Sequence, residues 1–157
     1  MKLNKLFIVS LLIPLFSISS NAQNYTTGLG LRFGYDSGIT LKHFYSSSNA
    51  GEFFVTVSPN YFHLTGLYEY HKPFGGVKNM YWYIGVGGHI GSVNKEKNKE
   101  KKSRLSIGPD FIGGLEFIFP KVPLVMSLDW KPTFNYISNN NDNWYSPLTL
   151  SLRYILE

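Results

Sequence analysis

The sequence predicts an all-β protein, an eight-stranded up-and-down antiparallel transmembrane β-barrel behind a cleavable export signal. Three observations carry this prediction. From residue 27 to the C-terminus the residue types alternate with period 2, the side-chain repeat of a strand, and turn signals separate the segments. The alternation sets bulky apolar residues on one face against small and charged residues on the other. After residue 23 no stretch is apolar enough for a spanning helix, and only helices and closed barrels satisfy their backbone groups in lipid.

The N-terminus has the three parts of a secretory signal. Basic Met1-Lys2-Leu3-Asn4-Lys5 precedes a thirteen-residue apolar run, Leu6 to Ile18, and then Ser19-Ser20-Asn21-Ala22. A spanning helix needs ~20 apolar residues; this run is shorter and Pro14 interrupts it. Cleavage after Ala22 is expected, with residues 1–22 as signal peptide and 23–157 as one barrel domain. The chain has no cysteine, although small exported soluble domains often rely on disulfides, so stability is expected from another source such as barrel closure in lipid.

The formal charge of +5 falls to +3 once Lys2 and Lys5 leave with the signal. The segment KEKNKEKKSR, residues 95–104, carries six basic and two acidic residues, so the rest of the mature chain stands at −1. Basicity confined to one loop argues against a nucleic-acid partner.

Strands are predicted at 27–36, 38–46, 52–58, 61–71, 79–92, 104–119, 123–137 and 144–156. Asp36-Ser37-Gly38 and Ser58-Pro59-Asn60 read as tight turns, Pro120 and Pro123 bracket another, and Asn139 to Asn143 is a polar loop. An even strand count puts both termini at one side, the periplasmic side. The loops at 93–103 and 138–143 are then external, and the 71–79 connection lies on the side of the termini.

The seventh strand shows the faces well. Leu124, Met126, Leu128, Trp130, Phe134 and Tyr136 oppose Val125, Ser127, Asp129, Lys131, Thr133 and Asn135. The sixth opposes Leu105, Ile107, Phe111, Leu115 and Phe117 to Ser106, Gly108, Asp110, Gly114 and Glu116. Alternation alone fits a soluble barrel as well as a membrane barrel with the apolar face outward. Side-chain size decides between them. The Leu, Phe, Tyr and Trp faces are too bulky to share the inside of eight strands, whereas Gly, Ser and Thr suit a narrow lumen. Tyr25, Tyr35, Tyr45, Tyr61, Tyr70, Trp82, Trp144 and Tyr145 cluster near strand ends, as interfacial girdles do.

The small-residue faces also carry charge: Arg32, Lys42, Lys131 and Arg153 against Glu69, Asp110, Glu116 and Asp129. A basic residue on lipid costs ~2–4 kcal/mol at the midplane. Several such costs would exceed a typical stability of ~5–15 kcal/mol, so these eight are expected to face inward as an ion-pair network that plugs the barrel. Arg32 and Arg153 fall on the first and last strands, which closure makes neighbours, and are expected to share carboxylates.

Motifs for catalysis are missing: no G-x-S-x-G, no H-E-x-x-H, no P-loop and no cysteine site, so no catalytic residue, metal site or cofactor is expected. Of His43, His63, His71 and His89, the pairings His63-x-Thr65 and His89 near Ser92 are the candidates for lipid hydrolysis or acyl transfer. Lys95, Lys97, Lys99, Lys101, Lys102 and Arg104 form a candidate surface site for phosphates, as in lipopolysaccharide.

Several ordered blocks resemble a family of small outer-membrane β-barrel proteins of Bacteroidota-type bacteria. They are GLGLR (28–32), SGITLKHF (37–44), LTGLYEYHK (64–72), WYIGVGGHIG (82–91), PLVMSLDWKP (123–132), Phe134-Asn135 and Leu152-Arg153-Tyr154. The resemblance covers nearly all the mature chain and implies outer-membrane location and barrel fold, with no activity attached. Barrels of this kind tend to end on an aromatic residue, whereas this chain ends Tyr154-Ile155-Leu156-Glu157. The expected partners are outer-membrane lipid and, beyond it, lipopolysaccharide or another envelope protein. The expected role is non-enzymatic, in envelope integrity, surface contact or an envelope complex. A lipid-modifying enzyme and a soluble periplasmic barrel holding a small apolar ligand are the alternatives.

Overall fold

The computed structural model describes residues 25–35, 37–58, 61–97, 100–137, 143–145 and 148–156, with side chains for all of these except 94–97, 100–103, 137 and 143–145. The expected signal peptide, residues 1–22, lies outside the described residues.

Ten ladder segments are present: β1 (Thr27–Gly34), β2 (Gly38–Phe44), β3 (Asn49–Ser58), β4 (Tyr61–Pro73), β5 (Met80–Lys97), β6 (Glu100–Ile118), β7 (Leu124–Trp130), β8 (Thr133–Ile137), β9 (Asn143–Tyr145) and β10 (Leu148–Ile155). They make eight strands. Gly113 faces Trp130 and Asp110 faces Thr133, three residues on along both chains, so β7 and β8 continue one register. Pro132, which has no N–H to give, sits in the gap, and its carbonyl accepts from Phe111 N at 3.0 Å. Trp130 facing Leu148 and Thr133 facing Tyr145 join β9 to β10 in the same way.

Every strand pairs antiparallel with its neighbour in sequence, and β1 pairs with β10 from Gly28↔Ile155 to Gly34↔Thr149. That last ladder closes the barrel and removes the open edges that would otherwise invite aggregation. β1 begins and β10 ends at one rim, here the near rim; β5 and β6 extend past the opposite, far rim.

Three boundaries differ from the expectation. Residues 93–97 and 100–103, expected in a loop, extend β5 and β6 as a paired ladder that runs on to Lys97 opposite Glu100. β4 pairs with β5 only as far as Tyr61↔Val93, so residues 94–97 project about 13 Å past that rim at the rise of a strand. β3 starts at Asn49 rather than 52, and β4 runs to Pro73, which shortens the near-rim connection to residues 74–79.

The barrel is inside out relative to a soluble one. Leu29, Leu31, Phe53, Leu64, Ile107, Leu128 and Leu152 on the outer faces are 42–53% exposed. Thr40, Glu52, Glu69, Ser106, Asp110 and Arg153 on the inner faces have no exposed surface. Two small apolar clusters interrupt the polar interior: Tyr25, Ile118, Val125 and Ile155 at the near rim, and Phe54, Leu67, Tyr83 and Ile112 further in. The rule that bulky residues stay outside therefore has exceptions. Gly114 shows how one is accommodated: a β-carbon there would sit 2.8 Å from the Tyr83 ring and hydroxyl, so the missing side chain makes room for the tyrosine. Tyr25, expected in a girdle, is 7% exposed and turned inward. Tyr35 and Tyr61 do lie at the far rim, with rings stacked 6.0 Å apart and the Tyr61 hydroxyl donating to the Tyr35 carbonyl at 2.6 Å. The side chains of Trp144 and Tyr145 lie outside the described ones.

Candidate functional site

Period 2 fixes where each inner charge points, and barrel closure brings the charges together across the lumen. All eight sequence-picked residues (Arg32, Lys42, Glu69, Asp110, Glu116, Asp129, Lys131 and Arg153) are buried at 0–2% exposure. They form two groups.

The larger group lies toward the near rim and is centred on a residue outside the eight. Glu52, on β3, takes Arg153 Nη2 at 2.5 Å and Arg32 Nη1 at 3.3 Å on Oε1, and Lys42 Nζ at 3.3 Å on Oε2. Thr40 donates to the same Oε1 at 2.5 Å. Arg32 also reaches Asp129 at 2.5 Å, and Lys42 reaches Glu69 at 2.7 Å and Glu116 at 3.3 Å. Arg153 lies 3.6 Å from Glu116 and donates to Ser127 Oγ at 2.8 Å. Arg32 and Arg153 thus share a carboxylate, as adjacency of the first and last strands requires, but the shared one is Glu52. The inner aromatics also serve the charges: Arg32 stacks over Phe54 at 4.4 Å and Lys42 over Tyr83 at 4.2 Å, both within cation–π range.

The equal balance of four charges of each sign is therefore corrected. With Glu52, the buried charges among the described residues are five carboxylates against Arg32, Lys42, Lys131 and Arg153. The near-rim group alone has Glu52, Glu69, Glu116 and Asp129 against Arg32, Lys42 and Arg153, one carboxyl group in excess. Two signals could have exposed Glu52. Ala50, Glu52, Phe54 and Thr56 alternate with Phe53, Val55 and Val57 once the strand begins at 49, and the −1 left after the basic loop is subtracted matches this excess.

The smaller group lies toward the far rim. Asp110 accepts from Thr133 at 2.6 Å, faces His89 Nδ1 at 2.9 Å and has Lys131 at 3.6 Å. Beyond His89, Ser106 Oγ is 3.4 Å from Nε2 and 3.0 Å from Asn135 Oδ1. Hydroxyl, imidazole and carboxylate thus stand in the order used for nucleophilic catalysis. Two features weaken that chemistry: Asn135 Oδ1 can only accept, so it draws the Ser106 hydrogen away from His89, and Ser106 has no exposed surface for a substrate to meet.

The pairings picked from sequence are not those formed. His89 joins Ser106 across the β5–β6 ladder, not Ser92, which period 2 turns to the opposite face. His63 and Thr65 both face the lumen, and the His63 ring packs 4.8 Å from His89. His71 faces Glu69 at 2.9 Å, while half-buried His43 meets Thr27 at 2.9 Å. Three of the four histidines therefore point away from lipid, against the expectation of a histidine acting on the outer leaflet. Among the described residues no group of three or more acidic, histidine or cysteine side chains could hold a metal ion. In the basic segment only Arg104 has a described side chain, half-buried; those of Lys95, Lys97, Lys99, Lys101 and Lys102 lie outside the described ones.

At the near rim a cleft of about 240 Å³ opens between Tyr25, Phe44, Tyr45 and Tyr81, with His71 and Glu116 at its inner end. Tyr25 donates to Glu116 at 2.9 Å and so ties the rim to the charged group.

The architecture has solved counterparts. The N-terminal β-barrel domain of Pseudomonas aeruginosa OprF superposes with a TM-score of 0.59 at 10% identity, over 82% of this chain and 95% of that one. Neisserial surface protein A (NspA) superposes at 0.58 and 9% identity, over 83% of this chain and 93% of that one. The chain shares the fold of eight-stranded outer-membrane barrels. At such identities the likeness is one of fold. No family model matches the sequence, and no curated protein matches it.

Proposed function

We propose that this chain is a non-enzymatic outer-membrane protein whose ion-paired interior plugs the barrel, serving envelope integrity, surface contact or an envelope complex. One observation carries the reading: Arg32, Lys42, Glu52, Glu69, Asp129 and Arg153 bond to one another across the lumen with no exposed side-chain surface. The apolar outer faces of the described strands and the fold shared with OprF and NspA support a site in the outer membrane, reached by cleavage after Ala22. Membership of the Bacteroidota-type family that the sequence blocks resemble belongs to the same proposal. So do lipid as the surrounding partner and phosphate binding by the basic segment.

Cell fractionation with N-terminal sequencing tests location: the protein should start at Gln23, pellet with outer membranes and shift in gel mobility on boiling. A soluble periplasmic species would overturn it. Planar-bilayer recording tests the plug, and steady conductance would replace it with transport.

A second reading rests on the Ser106–His89–Asp110 alignment and makes the lumen a hydrolase site. A fluorophosphonate probe decides: covalent labelling lost in Ser106→Ala favours this reading, and absence of labelling removes it.

A further inference from the structure

Two features of the near rim have no use in a plug. The first is chemical. Glu69 Oε2 lies 2.7 Å from Lys42 and 2.9 Å from His71 Nε2; with Glu69 ionised beside Lys42, that oxygen accepts and Nε2 carries the hydrogen. A neutral imidazole has one donor nitrogen and one acceptor, so His71 Nδ1 is an acceptor. Nδ1 is buried without a hydrogen-bond partner, and His71, 2% exposed, lines the near-rim cleft. The second is electrostatic. The charges behind that cleft carry one more carboxylate than cation, and Glu116, 2% exposed, presents part of that excess to the cleft. His71 and Glu116 line the same cleft, and its walls are aromatic: Phe44 stands edge-on to His71 at 4.8 Å and to Tyr25 at 5.0 Å.

We propose that the near-rim cleft is a binding site for a small organic ammonium, a primary or secondary amine on a short apolar body. The N–H groups meet His71 Nδ1 and the Glu116 carboxylate, the positive charge offsets the excess carboxylate, and the rings of Tyr25, Phe44 and Tyr81 take the apolar body and add cation–π attraction. The inner end favours a cation over an anion, since Glu116 is a carboxylate and the Tyr25 hydroxyl there already donates to it. At about 240 Å³ the cleft falls below the ~300–1,000 Å³ of drug-sized sites, which selects a small ligand. The inference needs only the fold and stands whether or not the barrel conducts.

The test is an NMR titration of the whole ¹⁵N-labelled protein in detergent with phenethylammonium chloride, and with neutral 2-phenylethanol of the same shape. Saturable shifts are expected at Thr26, Tyr45, Ser46 and Ser47, with the alcohol at least tenfold weaker. Glu116→Gln should weaken amine binding at least tenfold. Because Glu116 also holds Lys42 and Arg153, Ser47→Trp serves as the second variant, filling the cleft from an exposed position and abolishing the shifts with the charges intact. Equal binding of amine and alcohol, or no saturable shift with either, overturns the proposal and leaves a proton on Glu69 or His71 as what balances the excess charge.

Discussion

Toward the near rim the lumen holds Glu52, Glu69, Glu116 and Asp129 against Arg32, Lys42 and Arg153, whereas toward the far rim it holds Asp110 against Lys131. In the near-rim group charges are shared: Lys42 touches three carboxylates and Glu52 three cations. In the far-rim group the carboxylate is met mostly by uncharged partners, Thr133 and His89, at 2.6 and 2.9 Å, with Lys131 further off at 3.6 Å. The first group is a cross-braced lattice of charge and the second a local hydrogen-bonded chain. The same inner-face chemistry thus produces coupling over seven strands in one half and near independence in the other.

The largest effect should come from breaking the lattice on its minority sign. Arg153→Gln removes contacts with Glu52, Glu116 and Ser127 and leaves four carboxylates facing two cations, a loss of ~3–5 kcal/mol for an uncompensated buried charge. Glu52→Gln leaves three against three and should cost about half as much. Urea unfolding in detergent measures both, and the double variant should show strong coupling. Equal costs for the two single variants would mean that no excess carboxylate exists.

Leu128→Arg comes next and checks the surroundings that both groups presuppose. Leu128 is 45% exposed on the outer face of β7, next to inward Asp129. If lipid lies outside, the arginine costs ~2–4 kcal/mol near the midplane. Unfolding in lipid vesicles reads it, and a cost near zero would put water outside the barrel.

How far these groups could be read from sequence differs in the same way. Inward charge follows from alternation combined with side-chain size and the cost of charge on lipid, which is why Arg32, Asp110 and Arg153 are placed without coordinates. Partners could not be read, because they lie across the lumen on strands far apart in sequence: Arg153 and Glu52 are separated by 101 residues. Glu52 was hidden by a local effect. With the strand expected only from 52, Glu52 is its first residue, and the alternation that begins at Ala50 lies outside the expected strand. The ladder of 94–97 with 100–103 was hidden by polarity, since a ladder made of charged residues lacks the apolar alternation that marks a strand. Phe54 and Tyr83 broke the small-inside rule for a reason visible only in three dimensions, namely the cations above their rings.

A smaller effect, about 1–3 kcal/mol, is expected for Asp110→Asn, which keeps the size of the side chain but loses the charge facing Lys131. Independence of the two groups is the sharper expectation. Combined with Arg153→Gln, the costs should add to within ~0.5 kcal/mol, as for distant sites without shared partners. Coupling well above that would join the two groups into one network.

The smallest effect separates two serines that face each other in the β7–β10 ladder, Ser127 and Ser151. Both are buried, at 1% and 0% exposure. Ser127 Oγ accepts from Arg153 Nη1 at 2.8 Å, whereas Ser151 Oγ has no hydrogen-bond partner. Hydrogen bonds to charged groups contribute about 1.5–3 kcal/mol, and a buried hydroxyl without a partner carries a desolvation cost instead. Ser127→Ala should therefore destabilise by roughly 1–3 kcal/mol, while Ser151→Ala should lie between no change and ~1 kcal/mol of stabilisation. The pair differs in bonding and in little else, so urea midpoints for the two variants isolate what the charged lattice adds at one position. If both alanines cost the same, a polar group must meet Ser151 as well, and the lattice extends onto β10 beyond Arg153.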